Sequence, residues 1–217
     1  NNGDGSATVE IMRTHVMQHA RLSVNRGRND YPDSPMGALA LARQTFLDAS
    51  WHEQQWRAFN EGVLTKQPER NDALEALAHV VSGRQPIVLE APNEQYLLRA
   101  DRVAREFELD AIILGSGREY RQLEAIKDTG RQLIIPIAFP KPPNVGTFES
   151  ALDVSYTDLM HWDHAPSNPA VLRNAGIEFA ITSHDLTTKS DFWKAMRKVV
   201  ARGLDKQYAL KSITTIP

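Results

Sequence analysis

The chain has 217 residues, of which 41% are hydrophobic and 24% charged, a composition typical of a globular protein with one large or two small domains. A net charge of -2 and dispersed Lys and Arg residues argue against a nucleic-acid-binding protein. The absence of cysteine excludes disulfides, thiolate zinc sites and cysteine nucleophiles, and no apolar run approaches the length of a membrane span.

Residues 1–24 are predicted to be an N-terminal segment that is partly disordered or contains a first strand. Residues 1–6 are polar and rich in glycine, whereas residues 15–24 include two short apolar runs that are compatible with a strand. His15 and His19 have the i, i+4 spacing of metal ligands on one helix face, but a solvated or locally hydrogen-bonded pair is the favoured interpretation. Because the chain opens on Asn1 rather than Met, we expect a processed, truncated or excised product.

A long helix is predicted after a loop rich in Gly, Pro, Asn and Asp. Ser34 is a suitable N-cap and Pro35 suits the first helical position, and an apolar repeat continues to about residue 60. A second helix is predicted over residues 71–81, and Ser82-Gly83 ends it.

The stretch from residue 86 to 115 reads as strand, helix, strand. Residues 87–89 form an apolar run that ends at Glu90, and residues 111–114 form a second run that ends at Gly115. Between them, apolar residues recur at steps of three and four, the period of a helix with one buried face. This alternation indicates parallel strands, whose carboxyl ends carry the chemistry in such folds.

The remaining elements continue the alternation. Strands are predicted over residues 133–139 and 178–182, and helices over residues 119–129, 168–175, 190–203 and 206–212. Residues 140–147 form a proline-rich loop, and residues 148–166 are predicted to be irregular. The sequence therefore predicts an α/β fold with four strands, and a fifth near residues 15–24.

Several segments, taken in order, resemble one known family. They are residues 31–49, Leu89-Glu90-Ala91, residues 114–119, Trp162 with residues 165–169, residues 175–184 and residues 209–217. Together they resemble imidazolonepropionase-like amidohydrolases, which are metal-dependent TIM-barrel hydrolases of cyclic amides and peptides. The resemblance covers roughly residues 20–217.

This resemblance implies that residues 25–217 are the later portion of a (β/α)8 barrel, with four to five parallel strands and flanking helices. The family's His-x-His metal pair does not occur in the sequence, and the upstream strands are absent. The expected partners are therefore the remaining barrel segment or a second copy of the chain, together with a small amide or peptide substrate. Such proteins are often exported from bacteria, so the resemblance also implies a periplasmic or secreted location.

The resemblance also implies the site residues. Glu90 stands where the family has a histidine, and Ser116, Gly117 or Arg118 stands at the next ligand position. His184, followed by Asp185, stands at the position of the metal-binding aspartate. On this basis His184 and Asp185 are the expected catalytic residues, and Glu90 and His184 the expected ligands of zinc or another divalent metal. Ser116 and Arg118 are the expected substrate-binding residues.

Three functions stay open at this stage. The favoured one is a barrel segment of a larger hydrolase whose metal site has decayed, with Glu90 paired to Arg118 in the emptied pocket. The second is an active amidase or peptidase that combines Glu90, His184 and Asp185 with histidines supplied from upstream. The third is a non-catalytic module that binds another chain through its open sheet edge.

Two further motifs are weaker. His161, Asp163 and His164 could bind zinc on a helix, although packing of Trp162 with solvent-facing neighbours is the favoured interpretation. Gly115-Ser116-Gly117 has one Gly-x-Gly of a phosphate loop. Ser116 and Ser183 lack a Gly-x-Ser-x-Gly elbow, so serine hydrolysis with His184 as base is disfavoured.

Overall fold

A computed structural model describes residues 16–24 and 31–217. Within them a five-stranded parallel sheet has its strands in chain order, each pairing with the next. The strands are β1 (Gln18–Arg21), β2 (Ile87–Glu90), β3 (Ala111–Leu114), β4 (Leu133–Pro136) and β5 (Phe179–Thr182).

Helices follow the strands, and the buried residues of several of them pack with one alternate set of strand side chains. They are α1 (Pro35–Asn60), α2 (Asp72–Val81), α3 (Glu94–Glu106), α4 (Leu123–Thr129), α5 (Phe148–Leu152), α6 (Tyr156–His164), α7 (Asn168–Asn174), α8 (Phe192–Ala201) and α9 (Lys206–Thr214). Short 3-10 turns over Glu119–Gln122 and Lys189–Asp191 lead into α4 and α8. Sequential parallel strands with helices between them are the arrangement of a (β/α)8 barrel, and this sheet supplies five of the eight strands.

The register brings the strand ends together at one edge. Arg21 at the end of β1 lies beside Glu90 at the end of β2, and Glu90 in turn lies beside Leu114. Pro136 lies beside Thr182 at the ends of β4 and β5. Loops that leave all five strands therefore meet along one carboxyl edge, where parallel α/β folds place their sites.

The two faces of the sheet differ in what they contact. Side chains alternate along a strand, and one alternate set, which includes Leu89, Ile113 and Ile135, packs into the core beneath the helices. The other set forms the inner face of the sheet, and it carries His19, Arg21 and Glu90 towards the carboxyl edge. The described helices pack against the opposite face. The charged side chains of the inner face therefore lie on the side where a barrel has its interior.

Local sequence signals account for most helix ends. The Ser34 hydroxyl accepts a hydrogen bond from Gly37 N, and the Asn93 side chain caps α3 by accepting from Gln95 N and Tyr96 N. These caps satisfy backbone N–H groups that have no partner within the helix. The predicted helix over residues 35–60 is confirmed with those bounds.

Two predictions about the elements were wrong. Residues 148–166 are not irregular, because α5 and α6 lie there, with Thr147 and Ser155 as their N-caps. Their apolar patterns are short, and the capping signals alone mark where they begin. The strand predicted over residues 133–139 pairs only as far as Pro136, since proline has no N–H to donate to a ladder.

The fifth strand is confirmed at Gln18–Arg21. His15 lies outside the described residues, so the predicted His15–His19 pair stays a prediction. The domain division at residues 24 and 25 also stays a prediction, because it falls at the edge of residues 25–30, which the structure does not describe.

Leu97 offers a test of the packing between α3 and the sheet. Its side chain is fully buried, at 0% exposure, whereas Leu210 on α9 is 60% exposed. We expect Leu97→Ala to lower the free energy of unfolding by about 2–5 kcal/mol, because it leaves a cavity in the core. Urea denaturation measures this, with Leu210→Ala as the matched control that changes stability little. Equal losses in the two variants would contradict the core described here.

Candidate site at the carboxyl edge

Glu90 is the centre of a charged cluster at the ends of β1 and β2. Its carboxylate belongs to a residue that is only 8% exposed, and a buried charge needs a partner. Arg21 provides it: Nε donates to Oε1 over 2.5 Å, and Nη2 contacts the same oxygen. This hydrogen bond raises the pKa of Arg21 against the opposing effect of burial. His19 Nε2 lies 3.5 Å from the other oxygen of Glu90.

The cationic partner of Glu90 therefore comes from β1 and was not the one predicted. The hypothesised ion pair between Glu90 and Arg118 is wrong, because in the described residues the guanidinium at Glu90 is that of Arg21. The parallel register explains this, since it sets Arg21 directly beside Glu90 on the neighbouring strand.

His184 and Asp185 reach the same cluster from the turn after β5. His184 Nε2 lies 3.7 Å from Glu90 Oε1 and 3.4 Å from Asp185 Oδ1. Neither approach is a hydrogen bond, and this buried nitrogen has no hydrogen-bond partner in the part of the chain that the structure describes. The turn is tight: His184 N donates to Thr182 Oγ1, and Asp185 adopts a left-handed φ of 62°. The structure thus brings together three predicted site residues, Glu90, His184 and Asp185.

Ser116 lies in a loop that folds around an internal carboxylate. Ser116 N and Gly117 N donate to Glu119 Oε1 over 2.6 and 3.1 Å, and Asn168 Nδ2 donates to Oε2 over 2.6 Å. A Cβ at Gly115 would lie only 2.3 Å from Glu119 Oε1, so this position admits no side chain without a shift. Two backbone N–H groups of the Gly-Ser-Gly segment therefore donate to Glu119 and are not free to bind a phosphate. The Ser116 hydroxyl is buried and has no hydrogen-bond partner among the described residues.

Glu119 is the polar residue that sequence reasoning missed. It is 0% exposed, and burial raises its pKa while the donated hydrogen bonds oppose that rise. Asn168, which holds one of its oxygens, also accepts from Tyr120 N over 2.8 Å. A Glu two residues after a Gly-x-Gly was visible in the sequence, but its contact with Asn168 spans 49 residues. The pair fixes the loop after β3 against α7.

Tyr120 contacts both histidines of α6. Its ring stacks on His161 and His164, with centroid distances of 6.3 and 5.6 Å. Tyr120 Oη lies 3.4 Å from His161 Nδ1. Burial, with Arg118 and Arg121 nearby, lowers the pKa of His161 to about 4. Arg118 therefore acts on His161, and no ion pair joins it to Glu90 in the described chain.

The two interpretations of the segment at residues 161–164 both need correction in detail. Asp163 pairs with Arg202 over 3.0 Å rather than joining the histidines in a metal site. His161 is buried at 9% exposure rather than facing solvent as the packing interpretation expected. The histidines pack against an aromatic ring, which is a structural role.

The donors present do not by themselves fit a divalent metal ion. Among residues 16–24 and 31–217 there is no group of three or more His, Asp or Glu side chains arranged to hold one. Glu90 also has a guanidinium on its Oε1, and that positive charge would repel a cation. His19 and Asp185 also lie near Glu90 and His184, but in the described part of the chain these side chains are not arranged as a group that could hold a metal ion.

The fold and the ends of the strands define an α/β barrel segment, and comparison with a solved structure agrees. The chain is similar to an amidohydrolase from Thermotoga maritima MSB8, with a TM-score of 0.70 and 17% sequence identity. The match covers 93% of this chain and 50% of that one, so the chain spans about half the length of the structure it matches. At this identity the similarity shows the fold alone. No family model and no curated protein matches the sequence. None of the described helices has the length and apolar character needed to cross a membrane.

His161 gives this site a measurable pH dependence. Its pKa falls from 6.5 to about 4 on folding, so the unfolded state takes up the proton first. Stability is present above pH 6.5 and is lost as the pH falls towards 4. Urea unfolding of the wild type and of His161→Asn across this range measures the loss, which we expect the variant not to show. A titration of the His161 imidazole near its ordinary pKa, followed by NMR, would contradict the burial and charges assigned to it.

Proposed function

We propose that this chain is the later part of an imidazolonepropionase-like amidohydrolase barrel in which an ion pair has replaced the metal site. In the complete protein it would supply scaffold and a pocket for a small amide or peptide. The observation that carries the proposal is the guanidinium of Arg21 on Glu90, at the strand end where the resembling family has a metal-binding histidine. The match to about half of a solved amidohydrolase supports the barrel.

The ion pair opposes metal-assisted hydrolysis for an electrostatic reason. Such hydrolysis needs a cation that binds water and polarises the scissile carbonyl. Arginine stays protonated at all accessible pH values, so Arg21 holds a fixed positive charge at the carboxylate that would have to bind the cation. Replacing a metal ion by a guanidinium keeps Glu90 neutralised and supplies no activated water.

The same group suits amide recognition. A guanidinium has five N–H donors in a fixed fork, and the contacts with Glu90 use Nε and Nη2. Its side chain is 58% exposed, so donors remain for the carbonyl oxygen of a ligand at the carboxyl edge. His184 Nε2, which lacks a hydrogen-bond partner among the described residues, lies beside the same carboxylate. It is available as a second polar contact.

The second candidate function is an active metal-dependent amidase or peptidase. The 3.7 Å approach of His184 Nε2 to Glu90 Oε1 favours it, because those two groups could act as ligands if an upstream segment supplied histidines. Asp185 would then be the expected base. In this case Arg21 has to leave Glu90 when the metal binds.

The expected partner follows from the two edge strands of the sheet. In the described residues β1 and β5 each pair on one side only, whereas the interior of a closed barrel is packed with side chains. We propose that the remaining barrel segment, or a second copy of the chain, covers these strand edges. The same surface would serve a purely interacting module, and an exported location stays a prediction from the resemblance.

Metal content distinguishes the first two functions. Protein purified without chelator, exposed to excess zinc and desalted should hold no stoichiometric zinc by elemental analysis, because Arg21 occupies Glu90. Arg21→Gln frees that carboxylate, so we expect it to take up more zinc than the wild type does.

Matched variants show whether any bound zinc lies at the Glu90 cluster or elsewhere on the surface. Stoichiometric zinc in the wild type that is lost in Glu90→Gln and in His184→Gln would overturn the decayed site and support the active enzyme. His79→Gln is the control, because His79 is exposed on α2 and lies outside the cluster. Zinc lost equally in His79→Gln would indicate surface binding only.

A further inference from the structure

A second feature of the carboxyl edge is an open cleft of about 550 Å³ beside the Glu90 cluster. It lies between the loop after β4 and the turn after β5, and the first turns of α8 close it. Its volume is in the range of small-molecule sites, and carboxyl ends of parallel strands are where such sites occur. None of the predicted site residues except Asp185 lines it.

The cleft combines an apolar wall with cations. Phe139 and Leu186 contribute apolar surface, and Lys141, Lys194 and Lys198 line the same space. In the described residues none of these three lysines has a carboxylate within ion-pair distance. Lys198 Nζ lies 5.4 Å from the centroid of the Phe139 ring, which places a cation directly against the apolar wall.

Lys194 lies at a position of α8 where the free protein gains little from a positive charge. Lys194 lies in the first turn, and the amino end of a helix favours negative charge. That turn contains no acidic residue, and the side chain of the preceding Asp191 caps none of its N–H groups. Lys194 and Lys198 are also an i, i+4 pair of like charge, which disfavours the helix further.

Carboxylates of the chain do not relieve this arrangement. Asp185 and Asp191 both line the cleft, but Asp185 lies 3.4 Å from His184 and Asp191 forms no ion pair in the described chain. The lining therefore keeps an excess of positive charge. A bound anion would offset the repulsion between the lysines. It would also interact favourably with the amino end of α8.

We propose that this cleft binds a small organic carboxylate, with its anionic group at Lys194 and Lys198 and its apolar body against Phe139. The cleft adjoins the Glu90 cluster through Asp185. Its interpretation as a subsite for the substrate rests on the proposed function. Binding of the carboxylate itself requires neither the ion pair nor a metal.

A matched pair of probes tests the charge requirement. Calorimetric titration at low ionic strength compares 3-phenylpropionate with 3-phenylpropionamide, which differ in the carboxylate alone. We expect the acid to bind at least about tenfold more tightly, as the loss of a charge-assisted hydrogen bond requires. Equal binding of the two probes, or no binding of the acid, would overturn the proposal. Inorganic phosphate that binds as tightly as the acid would show a bare anion site, which also overturns it.

Variants on one helix locate the site. Lys194→Gln and Lys198→Gln should each weaken binding of 3-phenylpropionate by about fivefold or more. Binding of 3-phenylpropionamide should be unaffected. Arg197→Gln removes one charge from the same helix but faces the groove between α8 and α9, so it should leave binding unchanged. A comparable loss in Arg197→Gln would show a general charge effect and contradict the site.

Arg21→Gln separates this proposal from the function proposed above. It should bind the acid as the wild type does, since Arg21 does not line the cleft. A wild type that binds zinc and still binds the acid would overturn the decayed metal site alone. Failure of the acid to bind a zinc-free wild type would overturn the carboxylate subsite alone.

Discussion

The carboxylate of Glu90 is the constraint around which the carboxyl edge is arranged. It lies on the inner face of the sheet at 8% exposure, and Arg21, His19 and His184 all approach it. A carboxylate removed from water is costly unless a partner neutralises it. In a metal-dependent barrel that partner is a cation bound from solution. Here it is a side chain of the neighbouring strand, so the charge is balanced by the fold itself.

The guanidinium in place of a metal ion explains how the fold could persist while metal-assisted hydrolysis is lost. A guanidinium and a metal ion both neutralise a buried carboxylate, but only the metal lowers the pKa of a bound water. The surrounding barrel elements persist because they depend on apolar packing of the outer face and on the buried contact of Glu119 with Asn168. None of these contacts requires a metal, so the fold can be retained when the ligands change.

The sequence predicted the sheet better than the site. Apolar runs at residues 87–89, 111–114 and 133–135 mark strands because burial on both sides leaves no polar alternation. The convergence of Glu90, His184 and Asp185 followed from their places at strand ends. Arg21 was missed because half of the residues of β1 are exposed, and the short apolar runs of residues 15–24 lie on either side of the strand rather than within it. Glu119 was missed because its partners come from a turn and from a helix distant in the chain.

The Arg21–Glu90 ion pair is the claim on which the rest of the functional account depends, and a double-mutant cycle tests it most directly. Urea unfolding of Arg21→Gln, Glu90→Gln and the double variant gives the coupling energy between the two side chains. We predict a favourable coupling of about 0.5–3 kcal/mol, with Glu90→Gln less destabilising when Arg21 is already absent. A coupling indistinguishable from zero would mean that Arg21 does not hold Glu90, and that the carboxylate is free for a metal.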